Sequence, residues 1–232
     1  MFKKILYNFY KITEKSKETE LKNSLKEIPK DGILLDIGCW DGVKTMWWAK
    51  AAKAKEIWGI EVVPSAAKLA KKKNIKVYIG DIEKKWPIKN NSVDCVLSNL
   101  VIEHLADVDI FISESARVLK YGGYSIVCTN NLSSWHNIIS LLFGWTPFDL
   151  TNSSKKTWSI GNPFVVHKNE KSIYGKTFLH KCVYTTRWLK EWYQLYGLKL
   201  IKTRGAGYYP FPPIFGRLDK RHAAYIILTF KK

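Results

Sequence analysis

Hydrophobic and polar positions follow two different rhythms along this chain. From Phe2 to about Ile28 the apolar positions Phe2, Ile5, Leu6, Phe9 and Ile12, then Leu21, Leu25 and Ile28, recur three and four residues apart. That is the period of one helical face. Pro29 stops the pattern, because an interior proline removes an amide donor and clashes with the preceding turn. Short apolar runs then alternate with helical stretches. Strands are predicted over Ile33–Ile37, Glu56–Ile60, Ile75–Ile79, Val93–Ser98 and Tyr124–Thr129. Helices are predicted over Asp41–Lys53, Pro64–Lys73 and Asp107–Lys120, the last closed by Gly122-Gly123. Regular alternation of this kind predicts a mostly parallel sheet with helices on both faces.

After Asn131 the rhythm changes. Leu132–Phe143 reads as an apolar helix, and Gly144–Lys176 is long and rich in turn residues. A loop that long in a compact domain is usually a lid or a substrate element. Thr185–Tyr196 is an amphipathic helix ended by Gly197, and Leu198–Thr203 and Ala223–Phe230 are two more strands. Between them lies the aromatic, proline-rich stretch Tyr208–Pro213. The expected fold is α/β: a Rossmann-like, doubly wound, mostly parallel seven-stranded sheet with one antiparallel late strand. A helical arm (1–30) precedes a single domain (31–232). That domain divides into a cofactor-binding half (31–130), a lid or substrate insertion (131–184), and a final helix with two strands (185–232).

Charge adds an asymmetry to this picture. The net charge is +18, but up to Leu150 there are 22 basic and 17 acidic residues, against 16 and 3 from Thr151 onward. Either the second half presents solvated lysine-rich faces, or it meets an anionic substrate, a nucleic acid or a membrane surface. No apolar run reaches the roughly 18 residues that span a bilayer. Met1–Tyr10 is interrupted by Lys3, Lys4 and Asn8, unlike a signal peptide. An amphipathic arm could still lie on a membrane. Cys39, Cys95, Cys128 and Cys182 are dispersed with no C-x-x-C, so no metal site is predicted and a reduced, cytoplasmic setting is expected.

The chemistry centres on Ile33–Gly42, which reads I-L-L-D-I-G-C-W-D-G. An apolar strand ends in a carboxylate, two glycines four apart follow, and a helix begins. Open α/β sheets bind adenosine-containing cofactors at such a turn. Three acids, Asp36, Glu61 and Asp81, fall at the ends of three successive strands and should line one crevice. A dinucleotide's pyrophosphate would be repelled by Asp36, and the second glycine of G-x-G-x-x-G is missing. No G-x-x-x-x-G-K-[ST] occurs, which excludes a P-loop. S-adenosylmethionine has no phosphate and carries an ammonium and a sulfonium. Carboxylates suit it, and Glu61 can accept from both ribose hydroxyls.

These stretches resemble the class I S-adenosylmethionine-dependent methyltransferases, in particular the small-molecule type related to the ubiquinone/menaquinone methyltransferases. The resemblance covers Ile33–Asn130, with a weaker tail. Leu35–Gly42 looks like the family's first motif, Glu61 its ribose-binding acid, and Gly80-Asp81-Ile82 its adenine-flanking segment. Asp94–Leu105 looks like its fourth-strand motif and Arg117–Gly123 its helix-to-fifth-strand turn. The family usually has glycine where this chain has Trp40, a side chain expected to narrow the turn, cover the cofactor or point away to solvent or the arm. The resemblance implies a cofactor set of Asp36, Gly38, Cys39, Trp40, Gly42, Glu61, Val62, Asp81, Ile82, Asn99 and Leu100. Asp36 would support the methionine ammonium. The Gly38 and Cys39 backbones would approach the methionine and ribose. Asp81 and Ile82 would flank the adenine, and Asn99 or Leu100 would offer a carbonyl near the methionine.

A hydroxyl acceptor usually needs a base, whereas a carboxylate acceptor does not. His180, in H-K-C-V-Y-T, and His104, in E-H-L, are the candidate bases. His167, Tyr174 and Arg204 are weaker ones. Three functions stay open: methyl transfer to an anionic small molecule or a glycan- or lipid-linked acceptor, at oxygen; tRNA or rRNA methylation; or a non-catalytic binding module. The fourth strand ends in S-N-L-V rather than the N-P-P-[YF] common in base-modifying enzymes.

Overall fold

A computed structural model describes residues 2–156, 159–165 and 179–232, the first six as backbone. Seven strands form one sheet: β1 Ile33–Ile37, β2 Glu56–Glu61, β3 Lys76–Ile79, β4 Val93–Asn99, β5 Leu119–Asn130, β6 Lys199–Ala206 and β7 Tyr225–Lys231. Their spatial order is β3-β2-β1-β4-β5-β7-β6. β7 runs antiparallel to both neighbours, and the other pairs are parallel. The chain runs outward from β1 to β3, then returns to place β4 on the other side of β1. That reversal opens a crevice beyond the carboxyl ends of β1 and β4.

Helices α2 (Val43–Ala52), α3 (Pro64–Lys71), α4 (Val108–Val118) and α6 (Thr186–Leu195) cover the sheet. Trp86, Phe111 and Ile112 fill one side, where Tyr193 stacks on Phe230 at 4.0 Å. The arm is a single helix, α1 (Phe2–Leu25), and it belongs to the core. Its Leu21 and Leu25 are fully buried against Leu34, Trp48, Ile126 and Ile227. Burial of each such leucine stabilises by roughly 1.5–3 kcal/mol. The apolar stripe in this part of the arm therefore faces the sheet and not a bilayer. Among the described residues no helix is long and apolar enough to cross a membrane.

The arm also accounts for part of the charge asymmetry. Arg204 donates to Glu20 at 3.1 Å and to Glu27 at 2.5 Å, Lys202 pairs with Glu27 at 2.7 Å, and Arg217 pairs with Glu20 at 2.8 Å. Cations of β6 and its flank thus hold α1. Arg204 is an anchor for the arm rather than a base.

Some boundaries differ from the sequence reading. β5 begins at Leu119, directly after α4, and Gly122-Gly123 sits inside it at an irregularity in the β4 pairing. The two glycines mark a bulge, not a helix end. The second-half helix α5 spans only Trp135–Leu142, and a short helix, α7 (Ile214–Leu218), follows Pro212-Pro213. Proline at a helix start is favourable, but five residues carry too little periodicity to be seen. His167 and Tyr174 lie outside the described residues.

Candidate active site

One end of the candidate site is built by the turn after β1. Gly38 (φ 73°), Trp40 (φ 48°) and Gly42 (φ 79°) are all left-handed. A Cβ on Gly42 would lie 2.6 Å from Ile75 Cδ1, so only glycine fits there. Trp40 is strained by roughly 1–2 kcal/mol in that conformation. Its amide is held by a 2.9 Å bond to Glu61 Oε2, while Val63 N donates to Glu61 Oε1 at 2.9 Å. Glu61 thus clamps the turn from the end of β2. Trp40 is 38% exposed.

Asp36 sits beside this clamp and is 4% exposed. Thr45 Oγ1, on the buried face of α2, donates to its Oδ2 at 2.6 Å. Burial drives the Asp36 pKa up to about 7; the Thr45 bond opposes the rise and the charge of Glu61 adds to it. A buried carboxylate with a hydroxyl but no cation beside it is a receptor for positive charge. At the end of β4, Asn99 Oδ1 is buried without a hydrogen-bond partner, and Leu100 is left-handed (φ 56°). Asp81 follows β3, is exposed, and accepts from Glu83 N at 3.0 Å. Ile82 packs against the core, and its carbonyl accepts from Trp86 Nε1 at 3.1 Å. Cys39 is buried, burial carrying its thiol above the ordinary range, and Val62 is 46% exposed. Asp36, Trp40 and Glu61 are brought into one cluster. Asp81 and Ile82 stand two strands away along the same sheet edge. The buried Asp36, the doubly used Glu61 and the orphan Asn99 oxygen suit a cationic, hydroxyl-bearing ligand without phosphate.

Leu100 also opens the second half of the site, a cavity of about 550 Å³. Its ionisable lining comes from five places in the chain: Tyr10 and Glu14 of α1, Glu103 and His104 after β4, His136 of α5, Asp149 and His180 in the insertion, and Tyr209 and Tyr225 near the end. Ile139, Phe148, Phe164 and Val165 supply apolar wall. Among the described lining residues there is no lysine or arginine.

Three carboxylates face this space, each held differently. Glu14 accepts from Lys17 at 2.9 Å and from Tyr225 at 2.7 Å. Lys17 is itself buried and lies 4.6 Å from the Tyr225 ring centre. Asp149 accepts from Asn130 at 2.8 Å, from Asn137 at 2.7 Å and from His136 Nε2 at 3.3 Å. Burial pushes Asp149 up, but its bonds to His136 and Asn137 hold it below the usual carboxylate range. Glu103 is fully buried; its Oε2 accepts from Thr129 at 2.9 Å and its Oε1 has no partner.

The two histidines expected from the sequence meet here. The His104 and His180 rings contact edge to face, 4.8 Å between centres. Each lies with Nδ1 against a main-chain oxygen, His104 against Leu179 at 3.2 Å and His180 against Asp149. Burial holds the His104 imidazole below the usual histidine range. His136, Asp149 and Glu14 escaped the sequence reading. His136 lies in an apolar helical pattern, Asp149 in a long loop and Glu14 in the arm, and nothing local marks any of them.

Comparison with known proteins agrees with the fold. Residues 35–127 match the family described as a methyltransferase domain. An uncharacterized protein of Methanocaldococcus jannaschii is 36% identical over 110 residues, 47% of this chain and 50% of that one. A ubiquinone biosynthesis O-methyltransferase of Pelagibacter ubique is 28% identical over 119 residues, 50% of this chain and 48% of that one. The chain spans half or less of the length of the curated relatives it matches. Across the whole fold, a Thermotoga maritima structure described as a SAM-dependent methyltransferase, possible histamine N-methyltransferase, superposes with a TM-score of 0.61. The two are 19% identical, over 100% of this chain and 97% of that one.

Proposed function

We propose that this chain, which matches a methyltransferase domain over residues 35–127, uses S-adenosylmethionine to methylate a small, largely apolar, uncharged acceptor at a hydroxyl oxygen. The observation that carries this reading is the pairing of two unlike ends. A buried Asp36 carboxylate with no cation beside it lies at one end. An apolar cavity with acidic and imidazole groups, and no lysine or arginine among its described lining residues, lies at the other. The cofactor supplies a methyl group on a sulfonium. Asp36 takes its ammonium, Glu61 its ribose hydroxyls through lone pairs that Trp40 and Val63 leave free, and Asp81 and Ile82 flank its adenine.

Holding donor and acceptor in line is worth roughly 7–11 kcal/mol in effective molarity. His136, oriented by Asp149, receives the acceptor's proton, a role in which a positioned histidine contributes about 10²–10⁴-fold. A phosphate or carboxylate acceptor would meet Glu14, Glu103 and Asp149 without a compensating cation in the described lining. The basic residues that suggested an anionic partner or RNA include several that pair with the arm instead.

The test is transfer of labelled methyl from S-adenosylmethionine to a panel of neutral phenols and alcohols, their carboxylated analogues, and tRNA. Label is expected in the neutral class. Label confined to carboxylates or RNA would sink this reading.

A further inference from the structure

We infer that the outer face of α5 docks on an anionic lipid surface and opens the acceptor cavity toward it. A helix on the surface of a domain ordinarily turns its apolar side inward and its polar side to water. α5 is built the other way round. Its Asn137 and Ser140 are fully buried. Asn137 donates to the Asn131 main-chain oxygen at 3.0 Å, and Ser140 Oγ accepts from Asn162 at 3.1 Å. Trp135, Ile139, Leu141 and Leu142 face outward instead; Leu142 is 79% exposed, and Phe143 follows at 66%. The helix contains no lysine, arginine, aspartate or glutamate. The apolar stripe of α1 is covered by the sheet, whereas nothing among the described residues covers this one. A continuous apolar surface left in water marks an interaction site.

The face continues past both ends of the helix. Phe143 stacks on Trp145 at 5.0 Å between ring centres, and Trp145 meets Phe164 at 5.2 Å. At the other end Trp135 Nε1 donates to the Tyr208 hydroxyl at 2.6 Å. The Tyr208 ring lies 6.4 Å from that of Phe211 and 6.0 Å from that of Phe215, both exposed.

Charge selects the occupant. His222 stacks on Trp135 at 4.4 Å, which sets Lys220 and Arg221 beside the start of α5. The only acid between Tyr208 and His222 is Asp219, and it is spent on those two residues. Lys155 and Lys156 lie in the insertion that carries Phe164. All four cations are exposed, and among the described residues none is held in an ion pair. Aromatic and aliphatic side chains accompanied by lysine and arginine suit the boundary between anionic headgroups and acyl chains. A second copy of this chain, itself carrying +18, would be repelled.

Ile139 and Phe164 belong to both surfaces, being exposed and also lining the acceptor cavity. The cavity therefore adjoins the apolar face. A small apolar acceptor dissolved in the bilayer reaches it along these side chains without crossing water. That purpose rests on the transferase reading; the docking does not.

The test is cosedimentation of the full chain with vesicles of phosphatidylcholine, alone or with one third phosphatidylglycerol. Binding to the anionic vesicles is expected, at least tenfold tighter than to the neutral ones. Leu142→Ser combined with Phe143→Ser changes no charge and should weaken it at least tenfold. Leu195→Ser, at a position 79% exposed on α6, should leave it unchanged. Trp135 and Trp145 lie in the face, so lipids brominated in their acyl chains should quench the fluorescence of the unmodified chain. This second readout needs no variant to fold. No binding at millimolar anionic lipid, no quenching, equal binding to neutral vesicles, or equal binding by the double variant would overturn the docking. So would a dimer in analytical ultracentrifugation that the double variant dissolves, because a second copy would then cover the face. Calorimetry with S-adenosylmethionine on the same preparation separates the two ideas. Cofactor binding without vesicle binding removes the docking alone, and vesicle binding without cofactor binding removes the transferase reading alone.

Discussion

The two ends of this crevice are built on opposite plans. At the donor end, the groups that bear on Asp36 and Glu61 come from the same strand–turn–helix stretch or from the adjacent strand. Thr45 lies nine residues from Asp36, and Trp40 lies twenty-one from Glu61. At the acceptor end, Tyr225 reaches Glu14 across 211 positions of sequence, and Leu179 meets His104 across 75. A short-range site is set by one supersecondary unit and survives changes elsewhere. A long-range site exists only when the arm, the insertion and the final strands have all docked. Donor binding should therefore withstand perturbations that abolish acceptor chemistry.

The sharpest way to separate the two ends is His136→Gln. It should lower kcat by about 10²–10⁴-fold while leaving the dissociation constant of S-adenosylmethionine unchanged, as read by single-turnover kinetics beside calorimetry. An equal loss in both would mean that the ends are not independent. Next comes Glu14→Gln, which leaves the buried Lys17 ammonium without its partner. Breaking a buried pair from one side costs about 3–5 kcal/mol, read as a lowered urea midpoint. Here the arm fails first, and Trp48, packed in the same cluster as Leu21 and Leu25, reports it by fluorescence.

A smaller effect is expected from pH. The Asp36 carboxyl titrates near pH 7 because burial penalises its charged form. On the proposed reading, only the ionised form attracts the cofactor's ammonium. Affinity should thus be flat above about pH 8 and fall about tenfold for each unit below 7, measured by calorimetry across buffers. The folded chain holds this proton more tightly than the unfolded chain, so the cofactor-free protein should lose stability as pH rises from about 4 to about 7. A shift of that size corresponds to roughly 4 kcal/mol. Smallest of all is Lys202→Met, which removes one exposed partner of Glu27. Such surface pairs contribute about 0–1 kcal/mol, so the unfolding midpoint should barely move.

The same contrast explains what could be read from the chain. The alternation of strand and helix, the Asp36–Gly42 turn and the Glu61 strand end are local patterns. They placed the sheet, its single antiparallel strand and the cluster of Asp36, Trp40 and Glu61 within a few residues. Gly122-Gly123 was legible as a break but not as a bulge, because only the partner strand distinguishes the two. Among the histidines, His104 and His180 stood out by their neighbours in sequence. His136 did not, because its partner Asp149 comes from the long insertion. Glu14 was hidden for the same reason: its partner Tyr225 lies on the last strand. Charge was the least specific signal, since three cations of the second half, Lys202, Arg204 and Arg217, hold acids of an arm from the other end of the chain.

Binding of S-adenosylmethionine by the chain and by Asp36→Asn at pH 8 tests most directly whether the turn after β1 is a receptor for a cationic donor. Calorimetry should give one site per chain, weakened at least 30-fold in the variant, the loss that follows from removing one member of a buried charge pair. No heat with the unmodified chain, or equal affinity in Asp36→Asn, would contradict it.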